Sequence, residues 1–279
     1  MAAPEFSLVR RFSIKRLAGS EWERVEDTVA TEEPLEIRVN HWFKDAQLSE
    51  SLATTMRTPG ADRELVAGFL LSEGILSKRE HLLDMRALGT EPSNEILAEL
   101  SKEVDLEVWR IARGTFVNSS CGLCGKRTIE ALTQQAPQPV HDTFRIDASV
   151  IERLPALLRS HQRGFSQTGG LHAAALVNAQ GEIEAAFEDV GRHNALDKLI
   201  GACFLSSRTP LRDHLIFMSS RSSFELIQKT AMAGAPAIAT VGGPSSLAIE
   251  AARENGITLV GFVRESRFNV YSGEWRINS

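Results

Sequence analysis

The chain has 279 residues, 43% of them apolar and 24% charged, the composition of a folded protein rather than a disordered or fibrous one. Its length against a typical domain of about 150 residues predicts two domains, long enough to bury cores without disulfide or metal staples. Lys and Arg number 31 against 36 Asp and Glu, a net charge of -5, which argues against a nucleic-acid-wrapping protein and leaves any anionic ligand to local clusters of arginine.

Residues 1–20 carry Arg10, Arg11, Lys15 and Arg16 against Glu5, whereas residues 21–36 carry seven acids against Arg24. Phe12 and Ile14 alternate with polar residues, so this stretch reads as a basic edge strand within a solvated hairpin, not as a leader peptide. Leu35, Ile37 and Val39 alternate as a strand with one buried face, and Leu52, Thr54 and Met56 suggest another. Thr58-Pro59-Gly60 is a turn. Leu65, Val66, Phe69 and Leu70 recur at helical spacing, with Gly74 as the stop. No apolar run reaches the ~18 residues that span a bilayer. Val104, Leu106 and Val108 alternate again. Arg113 to Lys126 is rich in small and polar residues and is expected to be an exposed, mobile loop. A short helix through Ile129 and Leu132 and a linker at Ala136-Pro137-Gln138-Pro139 complete a mixed N-terminal part.

From about residue 144 the pattern becomes regular. A helix from Ala148 to Gln162 is predicted, capped by Asp147 and kinked at Pro155. Ala173 to Val177 and Glu182 to Phe187 form a strand pair around a turn at Asn178–Gly181. Glu188 to His193 is a polar loop, with Asn194 expected to cap the next helix. Leu215–Met218, Ala237–Val241 and Thr258–Val263 are short buried strands, and Ser222 and Glu225 have capping-box spacing for the helix between the first two. Strand, loop and helix alternate, so residues 144–279 are expected to be an α/β sandwich with a largely parallel core, and residues 1–143 a separate mixed α/β domain.

Ligands bind beyond the carboxyl ends of strands in open α/β sheets. Four loops qualify here: Glu188–His193, Ser219–Ser223, Gly242–Ser246 and Phe262–Arg267. Three of them carry Arg192, Arg221, and Arg264 with Arg267. Three lead into helices, whose free N–H groups favour phosphate. Together they suggest a pocket for a phosphorylated or dinucleotide ligand, although Ser and Gly also cap helices without any ligand. His193 reads equally as a ligand contact, a general acid/base or a bond within its own loop, and His172 as core or pocket lining.

Cys121-Gly122-Leu123-Cys124 leaves more than one reading open. The only further thiol, Cys203, falls on the apolar face of a helix, so a four-ligand zinc site is not expected. Three cysteines do not make a disulfide framework, and a reducing, cytoplasmic setting follows. A thioredoxin-type pair lacks its βαβ setting. A nucleophilic thiolate that accepts and hands on sulfur fits an exposed thiol beside Lys126 and Arg127.

Ser120-Cys121-Gly122-Leu123-Cys124-Gly125-Lys126, Gly170-Leu171-His172-Ala173-Ala174-Ala175, Glu188 to Lys198, Ser219-Ser220-Arg221 and Gly256 to Phe262 resemble the FdhD family, sulfur carriers that support formate dehydrogenase. The resemblance covers residues 32–272. It implies a cytoplasmic homodimer whose C-terminal domain has a cytidine-deaminase-like fold. It implies a cysteine desulfurase that loads sulfur onto the cysteine pair, with Cys121 carrying the persulfide and Cys124 assisting. The acceptor would be a bis(molybdopterin guanine dinucleotide) molybdenum or tungsten cofactor, and the protein served formate dehydrogenase. The family's cofactor contact falls on Phe262, Val263, Arg264, Glu265, Ser266 and Arg267. Arg221, Ser222, Arg192 and His193 are expected to add to it, with GDP as an analogue. No zinc is expected, because neither His-x-Glu nor Pro-Cys-x-x-Cys occurs. A cofactor-delivering chaperone without catalysis and a thiol–disulfide oxidoreductase are the alternatives.

Overall fold

The computed structural model describes residues 8–89, 93–107 and 143–279. Cys121, Cys124, the loop expected over 113–126, the helix through Ile129 and Leu132 and the Ala136–Pro139 linker all lie outside the described residues. Among the described residues no helix is long and apolar enough to cross a membrane.

The change of charge sign at the N-terminus does mark a hairpin. Strand β1 (Val9–Ala18) pairs antiparallel with β2 (Glu21–Ala30), so the basic strand lies beside the acidic one, with Arg16 opposite Glu23. Phe12, Leu17 and Trp22 remain exposed on it. Next comes a four-stranded sheet of β3 (Glu33–Phe43), β4 (Ala46–Arg57), β5 (Leu82–Ala87) and β6 (Glu95–Leu100), in the order β4-β3-β6-β5. Leu35, Ile37 and Val39 point inward from β3 as the alternation predicts. In β4, Leu52 is buried but Met56 is exposed. The Val104–Val108 alternation is not a strand over its described part: Val104 precedes a helical turn at Leu106 and Glu107, and both apolar side chains are buried.

Helix α1 (Asp62–Ser72) crosses from this sheet to α4 (Arg192–Leu205), which packs on the second sheet. The two helices meet backbone to backbone. A Cβ on Gly68 would lie 1.8 Å from the Asp197 carbonyl oxygen, and one on Gly201 would lie 1.8 Å from that of Glu64. Only glycine allows this approach. A continuous buried cluster runs from Leu35 and Val39 through Leu65 and Leu70 to Leu196, Ile200 and Ile216, so apolar burial joins the N-terminal sheet to the C-terminal one.

The second sheet contains β8 (His172–Asn178), β9 (Ile183–Asp189), β10 (His214–Met218), β11 (Ala237–Thr240), β12 (Thr258–Arg264) and β13 (Arg267–Ser272), in the order β13-β12-β11-β10-β8-β9. Parallel pairing is confined to β10, β11 and β12; β8, β9 and β13 pair antiparallel with their neighbours. The largely parallel core is therefore corrected to a mixed sheet. Helices α2 (Ala148–Arg159), α3 (Arg163–Thr168), α5 (Phe224–Met232) and α6 (Ser246–Glu254) complete this region. A two-strand pair of β7 (Ile146–Asp147) with β14 (Ile277–Asn278) ties in the C-terminus. Ala173–Val177 and Leu215–Met218 are fully buried, as expected of interior strands covered on both faces.

Three helix starts differ from expectation. Asp147 stands at the N-cap of α2 but accepts a hydrogen bond from Asn278 at 3.0 Å instead of capping. Gly191, not Asn194, is the N-cap of α4, and Ser223, not Ser222, that of α5. Ser245 caps α6 in the ordinary way, its hydroxyl accepting from the Ala248 N–H at 3.2 Å.

Candidate functional site

Parallel strands β10, β11 and β12 end on the same edge, and their following loops are stitched together by main-chain hydrogen bonds. Gly242 N–H donates to the Ser220 carbonyl at 2.9 Å, Ser245 N–H to that of Ser222 at 3.1 Å, and Phe262 N–H to that of Gly242 at 3.1 Å. Glycine is required in the middle loop. A Cβ on Gly242 would meet the Arg221 side chain at 2.7 Å, and one on Gly243 would meet the Phe262 ring at 2.4 Å. Arg221 and the Phe262 ring thus lie against the two glycines on one continuous surface. Phe262 is 45% exposed and has φ of 54°, a left-handed conformation costly for an aromatic residue. Strain of this kind is retained where the surroundings over-determine it.

Phe262 to Arg264 finish β12 and Glu265 and Ser266 turn the hairpin into β13, so this stretch is not a loop leaving the sheet: Arg267 already pairs with Arg264. Arg264 donates to the carbonyls of Val241 at 2.7 Å and Val263 at 2.8 Å, which fixes the tip over the second loop. Glu265, Ser266 and Arg267 are exposed there. Val263 is fully buried and packs in the core beneath the sheet. Ser222 is also buried, its hydroxyl donating to Thr240 Oγ1 at 3.1 Å. Their side chains face the interior, so neither presents a side-chain contact at this edge.

The other flank is built by the stretch from Glu188 to Lys198. Asp189 and Lys198, both buried, form an ion pair of 2.7 Å. Lys198 also donates to the Thr58 carbonyl at 2.8 Å, and Asp189 accepts from the N–H groups of Thr58 and Gly191. Asn194 turns inward and donates to the Met56 carbonyl at 2.7 Å and to Asp189 at 3.2 Å. Asn194 already stands at the third helical position of α4, and its Oδ1 accepts from the Thr55 hydroxyl at 3.2 Å, so it does not cap α4. Deeper still, Lys229 donates to both carboxylate oxygens of Asp197 at 2.8 Å, and Ser72 donates to the same carboxylate. Most polar residues of this stretch therefore bind the segment Met56–Thr58 and α1 to the C-terminal sheet. Arg192 and His193 are left near the edge.

His193 Nε2 lies 3.5 Å from the Ser223 hydroxyl and 3.9 Å from Glu225 Oε2, bringing the first turns of α4 and α5 together. Burial, followed by the nearby charges of Lys229, Arg192 and His172, pushes its pKa down to about 3, so the imidazole is neutral at pH 7. His172, paired with Asp189 across β8 and β9, is also lowered, first by burial and then by Arg192, with Asp189 opposing. Sequence reasoning had Glu225 only as a helix cap and did not find Lys229, whose approach to His193 depends on tertiary packing.

A depressed histidine pKa makes stability pH-dependent with a definite sign. The unfolded chain binds a proton near the ordinary value of about 6.5, whereas folded His193 does not until about pH 3. Its contribution is complete above the unfolded value and is lost as pH falls through this window. Denaturant unfolding at pH 5.0–6.5 should show His193→Gln flattening the pH dependence by up to about 1.4 kcal/mol per pH unit. Parallel wild-type and variant curves would show that His193 is protonated in the fold.

The sequence matches the model of the FdhD/NarQ family over residues 30–278. A sulfur carrier protein FdhD of Streptomyces avermitilis is 44% identical over 259 residues, covering 90% of this chain and 89% of its own. Relatives with the same description in Nocardia farcinica and Saccharolobus solfataricus are 42% and 38% identical and cover 96% of this chain and 95% and 98% of theirs. A crystal structure from Desulfotalea psychrophila, of a protein assigned as a formate dehydrogenase accessory protein, has the same fold with a TM-score of 0.77. At 23% identity it covers 98% of this chain and 100% of its own. The family-model match and the 38–44% identity over most of each chain place the protein in the FdhD/NarQ family.

Proposed function

We propose that the protein is a sulfur carrier and sulfurtransferase that moves sulfur from a cysteine desulfurase to a bis(molybdopterin guanine dinucleotide) cofactor destined for formate dehydrogenase. The observation that carries this reading is full-length similarity to proteins named sulfur carriers, in a chain with a Cys-x-x-Cys pair. Cys121 thiolate attacks the outer sulfur of the desulfurase persulfide. The S–S bond of the donor breaks, its thiolate leaves, and Cys121 becomes the persulfide. Cys124 assists transfer or release. The protein works in the cytoplasm as a homodimer, with residues 144–279 as a cofactor-binding domain of cytidine-deaminase-like fold. The cofactor is cargo, and the surface of Arg192, Arg221, Phe262 and Arg267 is suited to a guanine dinucleotide: cationic side chains for the pyrophosphate and an exposed aromatic ring for a base.

Intact-mass measurement after incubation with a cysteine desulfurase and free cysteine tests the carrier role. An adduct of one sulfur atom mapping to Cys121 is expected, and a protein that returns unmodified would leave the chaperone and the thiol–disulfide oxidoreductase alternatives. GDP should bind the isolated chain. A charge-assisted hydrogen bond contributes about 1.5–3 kcal/mol, so Arg221→Ala or Arg267→Ala should weaken GDP by roughly ten- to a hundredfold. Lys should not restore a site where a planar guanidinium grips phosphate. Calorimetric titration gives the affinities, and unchanged values in both variants would move the pocket elsewhere.

A further inference from the structure

We propose that one face of the β1–β2 hairpin is the surface on which a second copy of this chain docks, hairpin on hairpin. The inference rests on the homodimer reading and names the surface that makes the dimer.

The strands of the hairpin are ten residues each, so the ribbon is about 30 Å long at ~3.4 Å per residue. It is held at its base. The Thr31 N–H donates to the Leu8 carbonyl at 2.9 Å, Arg10 pairs with Glu33, and α3 packs alongside. Among the described residues, no hydrogen bond or ion pair joins residues 11–29 to the rest of the chain. A two-stranded ribbon on its own is marginally stable in water. Directly opposed residues of an antiparallel pair share a face, and the register sorts this ribbon into two. The face that bears Ala30 meets the body of the protein, since the Ala30 Cβ lies 3.7 Å from where a Cβ on Gly170 would stand. The other face carries Phe12, Ile14, Val25 and Val29 as an apolar strip, with Arg10 and Arg16 on β1 and Glu21, Glu23 and Asp27 on β2. Phe12 is 50% and Val29 37% exposed there. The apolar strip thus lies on the side that the protomer does not cover.

This face is complementary to itself. β1 carries Arg10, Arg11, Lys15 and Arg16 without an acid, and β2 carries Glu21, Glu23, Glu26 and Asp27 against Arg24. In an isologous contact each patch meets its own copy. When two hairpins stack face to face about a two-fold axis along the strands, β1 of each lies over β2 of the other. Ile14 then packs on the partner's Val25, Arg16 lies over the partner's Glu23, and Phe12 and Val29 extend the apolar strip toward the base. An axis across the strands would set basic on basic and acidic on acidic, so the charge pattern selects the first arrangement. Within the protomer these charges are little used: Arg16 reaches Asp27 only at 4.0 Å, with the side chains 51% and 45% exposed. A uniformly acidic or basic partner would match one strand and be repelled by the other. A second copy presents both signs in the required places.

The test is sedimentation of the full chain over a range of concentrations. The wild type should be dimeric. Phe12→Ser should weaken the dimer at least about tenfold, because each residue enters a two-fold contact twice. Trp22→Ser, on the opposite face, should leave it unchanged. Arg16→Glu and Glu23→Arg should each weaken it too, and an equimolar mixture of these two variants should recover it. Each variant sets like charges opposite one another within its own hairpin, which mixing does not repair. Across the interface the mixture restores both Arg–Glu pairs, so recovery reports a contact between chains and not the folding of one hairpin. A dimer unaffected by Phe12→Ser, equal weakening by Trp22→Ser, or no recovery on mixing would overturn the hairpin interface and leave a homodimer formed elsewhere. A monomeric wild type would overturn both.

Discussion

Cys121→Ser should abolish sulfur loading by a cysteine desulfurase, and Cys203→Ser should leave it at the wild-type level. The contrast follows from what a sulfur-accepting group must be. Sulfane sulfur is received by a soft thiolate, and a serine hydroxyl has neither the polarisability nor the acidity to replace it. The chain offers three thiols. Cys203 is removed on physical grounds: it is 2% exposed on the inner face of α4, and burial pushes its pKa up to about 11. Almost no thiolate exists there at pH 7, and a protein partner cannot reach it. Cys121 and Cys124 remain, and the proposed function puts the persulfide on the first. Intact mass, peptide mapping and activation of formate dehydrogenase in cells lacking the carrier provide three readouts. Full activation by Cys121→Ser would transfer the role to Cys124. Sulfur on Cys203 would mean that α4 opens during loading, a larger change than the core around it allows.

What could be read from the sequence depended on whether the information was local. Ala173–Val177, Leu215–Met218 and Ala237–Val241 were legible because interior strands are short apolar runs bounded by polar turns, and all three exist within a residue or two of expectation. The N-terminal hairpin was legible from its change of charge sign. β13 was passed over, although Phe268 and Val270 alternate with Asn269, because the loop before it was read as the end of the sheet. The antiparallel placement of β8 and β9 depends on pairings across the chain that no window contains. At the site, Arg221 lies in the loop after its strand as expected, whereas Arg192 opens α4 and Phe262 lies within β12. Ser222 came with its loop and Val263 with the stretch that the FdhD resemblance implies, but successive side chains in extended backbone point to opposite faces, and these two are buried. Lys198 carries no local signal of its role. A lysine within an amphipathic helix looks solvated until the carboxylate and carbonyl that receive it are known, and those lie on β9 and beyond β4.

Lys198→Met should destabilise the protein by about 3–5 kcal/mol, the cost of removing one member of a buried ion pair. Lys198 is 2% exposed and Asp189 fully buried, so the surviving carboxylate cannot recover water. It keeps the N–H groups of Thr58 and Gly191 and the Asn194 amide, which places the expected cost toward the lower part of that range. The Thr58 carbonyl loses its ammonium donor as well. Because the same carboxylate holds Gly191, and the Thr58 hydroxyl accepts from the Val190 N–H at 3.1 Å, the turn that presents Arg192 and His193 should loosen together with the fold. The double variant Asp189→Asn with Lys198→Met separates charge from shape. It leaves no uncompensated charge, and the asparagine side chain can still accept from Thr58 or Gly191. Contacting partners are non-additive, so the double variant should cost clearly less than the two single changes added together. Denaturant unfolding of the four proteins closes the cycle. Strict additivity would show that the two side chains act independently, and the pair would then not be the clamp that fixes Met56–Thr58 to the carboxyl edge of the sheet.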